Sequence, residues 1–387
     1  MPWSETNCME QRARFVLEAL QKRFSMSELC ERYGVSRKTG YKWIQGYHRE
    51  GVSGCNSRAR IPKTHPNATD PRIVARVVKW RRKYPSWGAR TLHGFLLDEY
   101  PNTAWPCPST MGEIFTRHEL IRKRRRRSAR STWRPARTIA DRPNRVWTAD
   151  FKGQFRLGNG ALCYPLTILD AYSRYLLFCQ GLKGTAARPA RRAFEHAFRE
   201  YGLPDVIRTD NGVPFCAPTS ILGLSTLSVW FLKLGIALER SRPGKPQDNG
   251  AHERMHRTLK QEAAQPPRRT AAAQQRALNR FRRVYNEKRP HHALQLKRPA
   301  SLYSRSPRPY PEDLPDPVYP AHFELRRVTK IGVFSWKQRQ IFLTEALHNE
   351  TLGFECIAAG LWSVFFGDVL LGRFSEVDYR FTPGMGG

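Results

Sequence analysis

The sequence predicts a multidomain chain: N-terminal all-α helix-turn-helix modules, an α/β core built on a mixed sheet flanked by helices, and a small C-terminal β-barrel. Three observations predict it. Apolar residues recur at helical spacing through residues 10–49 and 70–121. From residue 146 onward, strand-like runs alternate with helical ones. After residue 326 the pattern breaks into short alternating pieces separated by glycine. A length of 387 residues suits about two to four domains, and 40% apolar residues suffice to fill their cores.

Residues 1–50 read as a helix-turn-helix DNA-binding domain. Phe15, Val16, Ala19 and Leu20 give a first helix its apolar stripe, and Ser25 or Ser27 can cap a second carrying Leu29, Cys30 and Tyr33. Tyr33-Gly34-Val35-Ser36 supplies a tight turn, and Ser36 caps a third helix with Tyr41, Trp43 and Ile44. The second member of such a pair usually enters the major groove. Arg37, Lys38, Lys42 and Gln45 on it suit base edges and phosphates. Residues 51–69, rich in Gly, Pro, Ser and Asn, read as a linker.

A second helical, helix-turn-helix-like module follows over 70–121. Ile73, Val74, Val77, Val78 and Trp80 form one stripe, residues 84–88 break it, and Leu92, Phe95 and Leu96 resume it. Pro108-Ser109 opens a third helix. A dimerisation element fits this pattern as well. Residues 122–139 then read as a basic linker. Arg122–Arg137 hold nine basic residues and no acid, among them Arg124, Arg125, Arg126 and Arg127, so the segment is expected to stay extended until bound and to track phosphates.

Charge supports a nucleic-acid partner. Residues 311–387 carry 7 basic and 10 acidic side chains, which leaves 59 basic and 23 acidic, a net of +36, for residues 1–310. A surface that basic repels itself until a polyanion neutralises it. A membrane is excluded as partner by the lack of a basic amphipathic anchor or an apolar run of ~18 residues. The eight cysteines form no C-x-x-C pair, so they read as thiols in a reducing compartment. The N-terminus lacks an apolar signal region. A cytoplasmic, nucleoid-associated bacterial protein is expected.

The core, residues 140–300, begins with strands over Val146–Leu157, Ala161–Asp170 and Arg174–Leu182. A helix over Ala186–Tyr201, a strand to Thr209, a helix over Leu222–Leu234, a strand over Ile236–Glu239 and a helix over Asp248–Ala264 complete it. Three acids stand out. Asp150 lies inside the first strand, Asp210 ends the fourth, and Glu253 lies one turn into the last helix. Such acids can converge at one sheet edge, where they repel one another unless cations intervene. Hard oxygen ligands select Mg²⁺, with Mn²⁺ as substitute. Two ions ~3.5–4 Å apart activate a nucleophilic oxygen and stabilise the leaving oxygen of a phosphodiester.

Trp147-x-x-Asp150, Arg208-Thr209-Asp210-Asn211-Gly212 and the run Arg242-Pro243-Gly244-Lys245-Pro246-Gln247-Asp248-Asn249-Gly250-Ala251-His252-Glu253-Arg254 resemble the integrase core of insertion-sequence transposases. Arg257-Thr258-Leu259-Lys260-Gln261-Glu262 and Asn286-Glu287-Lys288-Arg289-Pro290-His291 match that family's pattern too. The resemblance implies a ribonuclease H-like fold of the retroviral-integrase superfamily with Asp150, Asp210 and Glu253 as its metal-binding catalytic triad. It implies cleavage at element ends and joining of 3′-hydroxyls to target DNA. Gln247 and Asn249 could place amides near the scissile strand, Asn249 also capping the helix; Lys245, Arg257 and Lys260 are expected at DNA. One departure is a separation of 42 residues between Asp210 and Glu253, longer than the family usually keeps. The excess falls in Cys216–Thr226 and reads as a loop insertion.

His252-Glu253-Arg254-Met255-His256 also satisfies H-E-x-x-H, a zinc protease signature. No strong third ligand follows, and the flanking Arg254, Arg257 and Lys260 repel a dication, so the transposase reading is preferred. Residues 301–325 read as a Pro-rich linker. Residues 326–387, with pieces such as GVFSW and WSVFFGD, read as the small β-barrel. The net charge of −3 over residues 311–387, against +36 for the rest, favours a protein contact over a DNA clamp. The expected partners are double-stranded DNA, as terminal inverted repeats and target, and at least a second copy of the chain on DNA. The alternatives are a DNA-binding regulator with an inactive core and a nuclease that cleaves without strand transfer.

Overall fold

The computed structural model describes residues 7–57, 68–121, 138–241 and 250–384. It divides into two compact units, Met1–Thr69 and Asp70–Gly387. Arg124–Arg127, with the rest of the basic run 122–137, and Lys245, Gln247 and Asn249 lie outside the described residues.

The first unit holds α1 (Cys8–Leu20), α2 (Met26–Arg32) and α3 (Arg37–Glu50). Ser25, rather than Ser27, caps α2, in a reciprocal box with Glu28, and the Ser36 hydroxyl accepts from the Thr39 amide at the start of α3. Between them Gly34 takes φ +63°, the left-handed turn that glycine adopts at no steric cost. Phe15, Val16, Leu29 and Cys30 form the core. Tyr41 on α3 is exposed. The start of the expected 51–69 linker folds back as a short helical turn, Gly51–Cys55, which buries Cys55. The Arg12 guanidinium holds it there by donating to the Cys55 carbonyl at 3.3 Å and to Ser57 Oγ at 2.8 Å.

The second unit opens with α4 (Pro71–Lys83), α5 (Ala89–Glu99) and α6 (Pro108–Arg117), packed around Val77, Trp87, Leu92, Phe95 and Met111. The expected break at 84–88 is an aromatic hinge in which Tyr84 stacks on Trp87 at 4.0 Å.

The core comprises β1 (Val146–Phe151), a short β2 (Phe155–Arg156), β3 (Leu162–Asp170), β4 (Leu176–Leu182), α7 (Ala187–Tyr201), β5 (Val206–Thr209), α8 (Thr226–Lys233), β6 (Ala237–Arg240), α9 (Gly250–Leu259) and α10 (Ala271–Glu287). The sheet runs β4-β3-β1-β5-β6, and β2 pairs with the start of β3. β4, β3 and β1 are antiparallel neighbours; β1, β5 and β6 run parallel. One face is covered by α7 and α8 through Phe194, Phe198, Trp230 and Phe231, the other by α9 and α10 through Met255, Leu259, Leu278 and Phe281. Helix α9 passes into a wider turn at Lys260–Ala264 before the chain reverses into α10.

Helix α10 also closes the sheet's outer edge. A free edge strand exposes unpaired amides and carbonyls. Gln275 bonds the Cys179 carbonyl and the Gly181 amide, each at 3.0 Å. Arg282 donates to the Leu177 carbonyl at 2.9 Å, and Asn286 bonds both the amide (2.8 Å) and the carbonyl (3.0 Å) of Leu176.

The expected Pro-rich linker is strapped onto the core. Tyr303 stacks on Tyr175 at 4.4 Å, and Arg308 donates to the carbonyls of Pro204, Leu234 and Gly235. Beyond it come β7 (Glu324–Arg327), β8 (Val333–Trp336), β9 (Arg339–Phe342), β10 (Thr351–Ala358), β11 (Leu361–Phe366), β12 (Val369–Ser375) and β13 (Arg380–Pro383). The strands are those of the expected C-terminal β-barrel, but the barrel does not close. The sheet is open, in the order β13-β12-β11-β10-β7, and β8-β9 is a separate hairpin. Side chains rather than backbone bonds join the two: Phe334 and Trp336 each meet Phe354 at 5.1 Å and reach Phe374 at 5.5 and 5.1 Å. Four large rings fill the gap that a ladder would otherwise span.

Among the described residues, no helix is long and apolar enough to cross a membrane.

Candidate active site

Parallel pairing of β1 with β5 sets Thr148 beside Arg208. Two residues further on, at the same end of both strands, come Asp150 and Asp210. Asp210 stands just past β5, where its carboxylate accepts from the Gly212 amide at 3.1 Å. The next residue, Asn211, anchors this turn by donating to the Ser241 carbonyl at 2.6 Å. Glu253 sits in the first turn of α9 and is exposed. Burial first, then the charges of Asp210 and Glu253, push the Asp150 carboxyl up to about 7.

Behind Asp150 lies a buried polar network that the sequence reading did not anticipate. Thr167 on β3 is the cross-strand partner of Asp150. Its hydroxyl lies 3.0 Å from the Asp150 carbonyl, 2.7 Å from His252 Nε2 and 2.8 Å from His256 Nε2. A carbonyl can only accept, so the hydroxyl proton goes to it and both imidazoles donate from Nε2. This assigns both rings the Nε2–H tautomer. A neutral His252 that donates from Nε2 must accept at Nδ1, so the Thr148 hydroxyl donates to it at 2.8 Å in preference to the Leu169 carbonyl at 3.3 Å, and His256 Nδ1 faces Asp150 Oδ2 at 3.5 Å. Burial drives both histidines toward the neutral form, His252 down to about 3. The approach of His256 to Asp150 is therefore not an ion pair. The Asp150 carboxyl, which takes up a proton far above the usual carboxylate range, is the group able to donate across it.

Among the described residues, the acid and imidazole donors whose atoms all lie within 4.8 Å of one another belong to Asp150, His252 and His256. Both ring nitrogens of His252 are engaged by threonine hydroxyls. Glu253 lies on the exposed side of α9, away from the two buried histidines. The H-E-x-x-H spacing here thus places a helix against a sheet. A signal was available: two histidines at i and i+4 on the same apolar face as Met255 and Leu259, opposite threonines on two neighbouring strands.

Arg257 on α9 and Lys260 at the start of the wider turn are exposed, as Glu253 is. In the first unit, Arg37, Lys38, Lys42 and Gln45 all project from α3 into solvent. Downstream, the Asn286–His291 motif turns inward: Arg289 pairs with Glu262 at 3.2 Å, and His291 packs on Tyr285 at 4.6 Å between ring centres.

Residues 140–246 and 234–299 match the family described as integrase core domain. Residues 11–63 match a helix-turn-helix domain and 39–115 a homeodomain-like domain. The uncharacterized 31.7 kDa protein of insertion element IS407 from Burkholderia multivorans is 26% identical over 72% of this chain and 95% of its own length. Residues 140–299 thus form an integrase core domain, in a chain similar to a protein encoded by a bacterial insertion element. The uncharacterized 39.2 kDa protein of insertion element IS476 from Xanthomonas euvesicatoria is 26% identical over 58% of this chain. The chain spans 63% of that relative's length. The HTLV-2 integrase catalytic core domain, solved in complex with magnesium, aligns with 42% of this chain and 99% of its own, at 16% identity and a TM-score of 0.34.

Proposed function

We propose that this chain is an active DNA transposase that binds the terminal inverted repeats of its element, cleaves DNA at the ends and joins the 3′-hydroxyls to target DNA. The observation that carries the reading is the convergence of two acidic charges on Asp150. A carboxyl lifted to about 7 by burial and by Asp210 and Glu253 sits where a dication would relieve the repulsion. The oxygen donors of Asp150, Asp210 and Glu253 fit Mg²⁺ or Mn²⁺. Bound in a pair, such ions supply Lewis acidity at the attacking and leaving oxygens of a phosphodiester.

The chain's own residues do the rest. The Thr167–His256 network holds the Asp150 backbone and carboxyl in place. The Asp210 carboxylate is fixed by the turn it caps. Arg257 and Lys260 lie beside Glu253, where they can neutralise the phosphates flanking the scissile bond. Sequence-specific binding falls to α3, through Arg37, Lys38, Lys42 and Gln45. The basic segment with Arg124–Arg127, and Lys245, Gln247 and Asn249 ahead of α9, complete the DNA contacts in this reading. Both element ends must meet in one assembly, so at least a dimer acts on DNA, with catalysis in trans.

A strand-transfer assay with element ends and Mg²⁺ tests the proposal, comparing wild type with Asp150→Ala, Asp210→Ala and Glu253→Gln. Each variant should bind ends as wild type does and lose joining. Full joining by Glu253→Gln would dismiss the triad. Cleavage without joining by the wild type would make the chain a nuclease, and end binding with neither activity a regulator.

A further inference from the structure

A cleft of about 1170 Å³ runs between the Tyr84–Gly88 hinge of the second helical module and the outer face of α10. A second groove of about 1030 Å³ lies on the other side of the same helix, against α7. Arg276 and Arg280 line both, and Arg283 lines the second. These three side chains stand at i, i+4 and i+7, so they share one face, advancing along the axis by ~6 Å and then ~4.5 Å. They do not hold the fold together. The inward polar stripe of α10, Gln275, Arg282 and Asn286, is the one that bonds the edge of β4.

The three guanidiniums are also unmatched. Like charges at this spacing destabilise a helix by a few tenths of a kcal/mol each, and an anion between them removes that cost. Among the described residues no carboxylate pairs with Arg276, Arg280 or Arg283. The acid in the first cleft, Glu262, is already held by Arg289 and by the Ser86 hydroxyl. Across that cleft stand Lys83, whose ammonium lies 4.5 Å above the Trp80 ring, and the exposed Arg268. Arg81, in the same wall, is spent on the carbonyls of Trp87 and Leu120. The charges left free on the walls of this cleft are cationic, and the second groove adds the exposed Glu287 at its far end.

We propose that the outward face of α10 is a track for the sugar–phosphate backbone of duplex DNA, distinct from the acidic edge and read without regard to sequence. An open trough lined by a ladder of guanidiniums suits a polymer with regularly spaced phosphates better than a single small anion, which would engage only one or two of the cations. Phosphate contacts position DNA and carry no base information. The track therefore suits the duplex whose sequence is not fixed, the target or flanking DNA. The inference rests on the reading of the chain as a DNA transposase.

The test uses the full chain as wild type, as the triple variant R276Q/R280Q/R283Q and as the triple variant R276K/R280K/R283K. Binding to a duplex of unrelated sequence and to one carrying an element end is followed by fluorescence anisotropy across a salt series. The Gln variant should weaken both duplexes by a similar factor, tenfold or more at low salt. Its log–log salt slope should be shallower by about 2–3, since each neutralised phosphate contributes about 0.9. The Lys variant should keep most of the slope, and all three proteins should melt alike. Unchanged slope and affinity in the Gln variant would overturn the track, as they would if an acidic protein occupied the cleft instead. Failure of the transposase reading looks different: the wild type would not join DNA, while the Gln variant would still lose its slope.

Discussion

The Thr167 hydroxyl on β3 stands 2.8 Å from His256 Nε2 on α9, and this contact ties the helix that carries Glu253 to the strand pair that carries Asp150. The same oxygen serves His252 and the Asp150 carbonyl. Replacing it with the isosteric Thr167→Val leaves two imidazole N–H groups buried without partners, while the Asp150 carbonyl keeps its place in the β1–β3 ladder. Each unsatisfied group costs ~1–3 kcal/mol, partly relieved by relaxation. Thr167→Val should therefore destabilise the protein by about 2–4 kcal/mol in chemical denaturation, and Thr167→Ser by less than 1. A Val variant as stable as wild type would mean that the network is not formed.

The raised Asp150 carboxyl makes a pH prediction with a definite sign. Its ordinary value is 3.8, and in the folded chain it is pushed up to about 7. Between these values the folded state holds a proton that the unfolded state has released. Stability of the metal-free protein must therefore fall as pH rises through this window. Asp150→Asn removes the dependence. In EDTA it should be more stable than wild type by about 2–4 kcal/mol near pH 8 and nearly equal to it near pH 4. Added Mg²⁺ should stabilise wild type and leave the Asn variant unmoved. Thermal melts across pH decide it; parallel curves for the two proteins would contradict the burial and acid pairing that lift Asp150.

The segment Cys216–Thr226, a loop insertion in the sequence reading, is the dock for the C-terminal sheet. Leu224 is buried in the same core as Phe334, Phe354 and Phe374, with Ile221 and Leu222 packed against it. Ser220 Oγ meets Thr344 Oγ1 at 2.7 Å, and on α8 Lys233 bridges Glu350 at 3.0 Å and Asp316 at 3.2 Å. Leu224→Asp places a carboxylate in that shared core at a cost of ~3 kcal/mol or more. Limited proteolysis should then release the segment after residue 320 while the sheet of the core stays protected. Uniform loss of protection would mean that the two fold as one cooperative block.

How much of this was legible in the sequence depended on how local the cause was. Ser36 as a cap and Gly34 as a left-handed turn act within four residues, so the helix-turn-helix reads directly. Asp150, Asp210 and Glu253 stand out in the sequence because their neighbours form a recognisable pattern. The role of Thr167 was not legible, since a threonine in a strand is ordinary until its register partner and the facing helix are known. The dock was missed for the same reason: Ser220 and Thr344 are far apart in sequence. Alternation in the tail predicted strands and their buried faces, but alternation does not state whether a sheet closes. There the rings of Phe334, Trp336, Phe354 and Phe374 decide.

The Asn286–His291 motif separates structural from DNA-contacting residues. Asn286 gives both its amide groups to the backbone of Leu176, completing the edge of β4. It is buried, so its loss leaves an amide and a carbonyl without partners in the interior. Asn286→Ala should cost about 2–4 kcal/mol in denaturation. Because the residue touches no phosphate in this reading, the salt slope of DNA binding should be that of wild type at temperatures where the variant is folded. The two readouts divide the faces of α10: the inner stripe moves stability and leaves the slope alone. A shallower slope in Asn286→Ala would show that the edge of β4 and the arginine ridge are coupled, and that the ridge depends on how α10 is seated on the sheet.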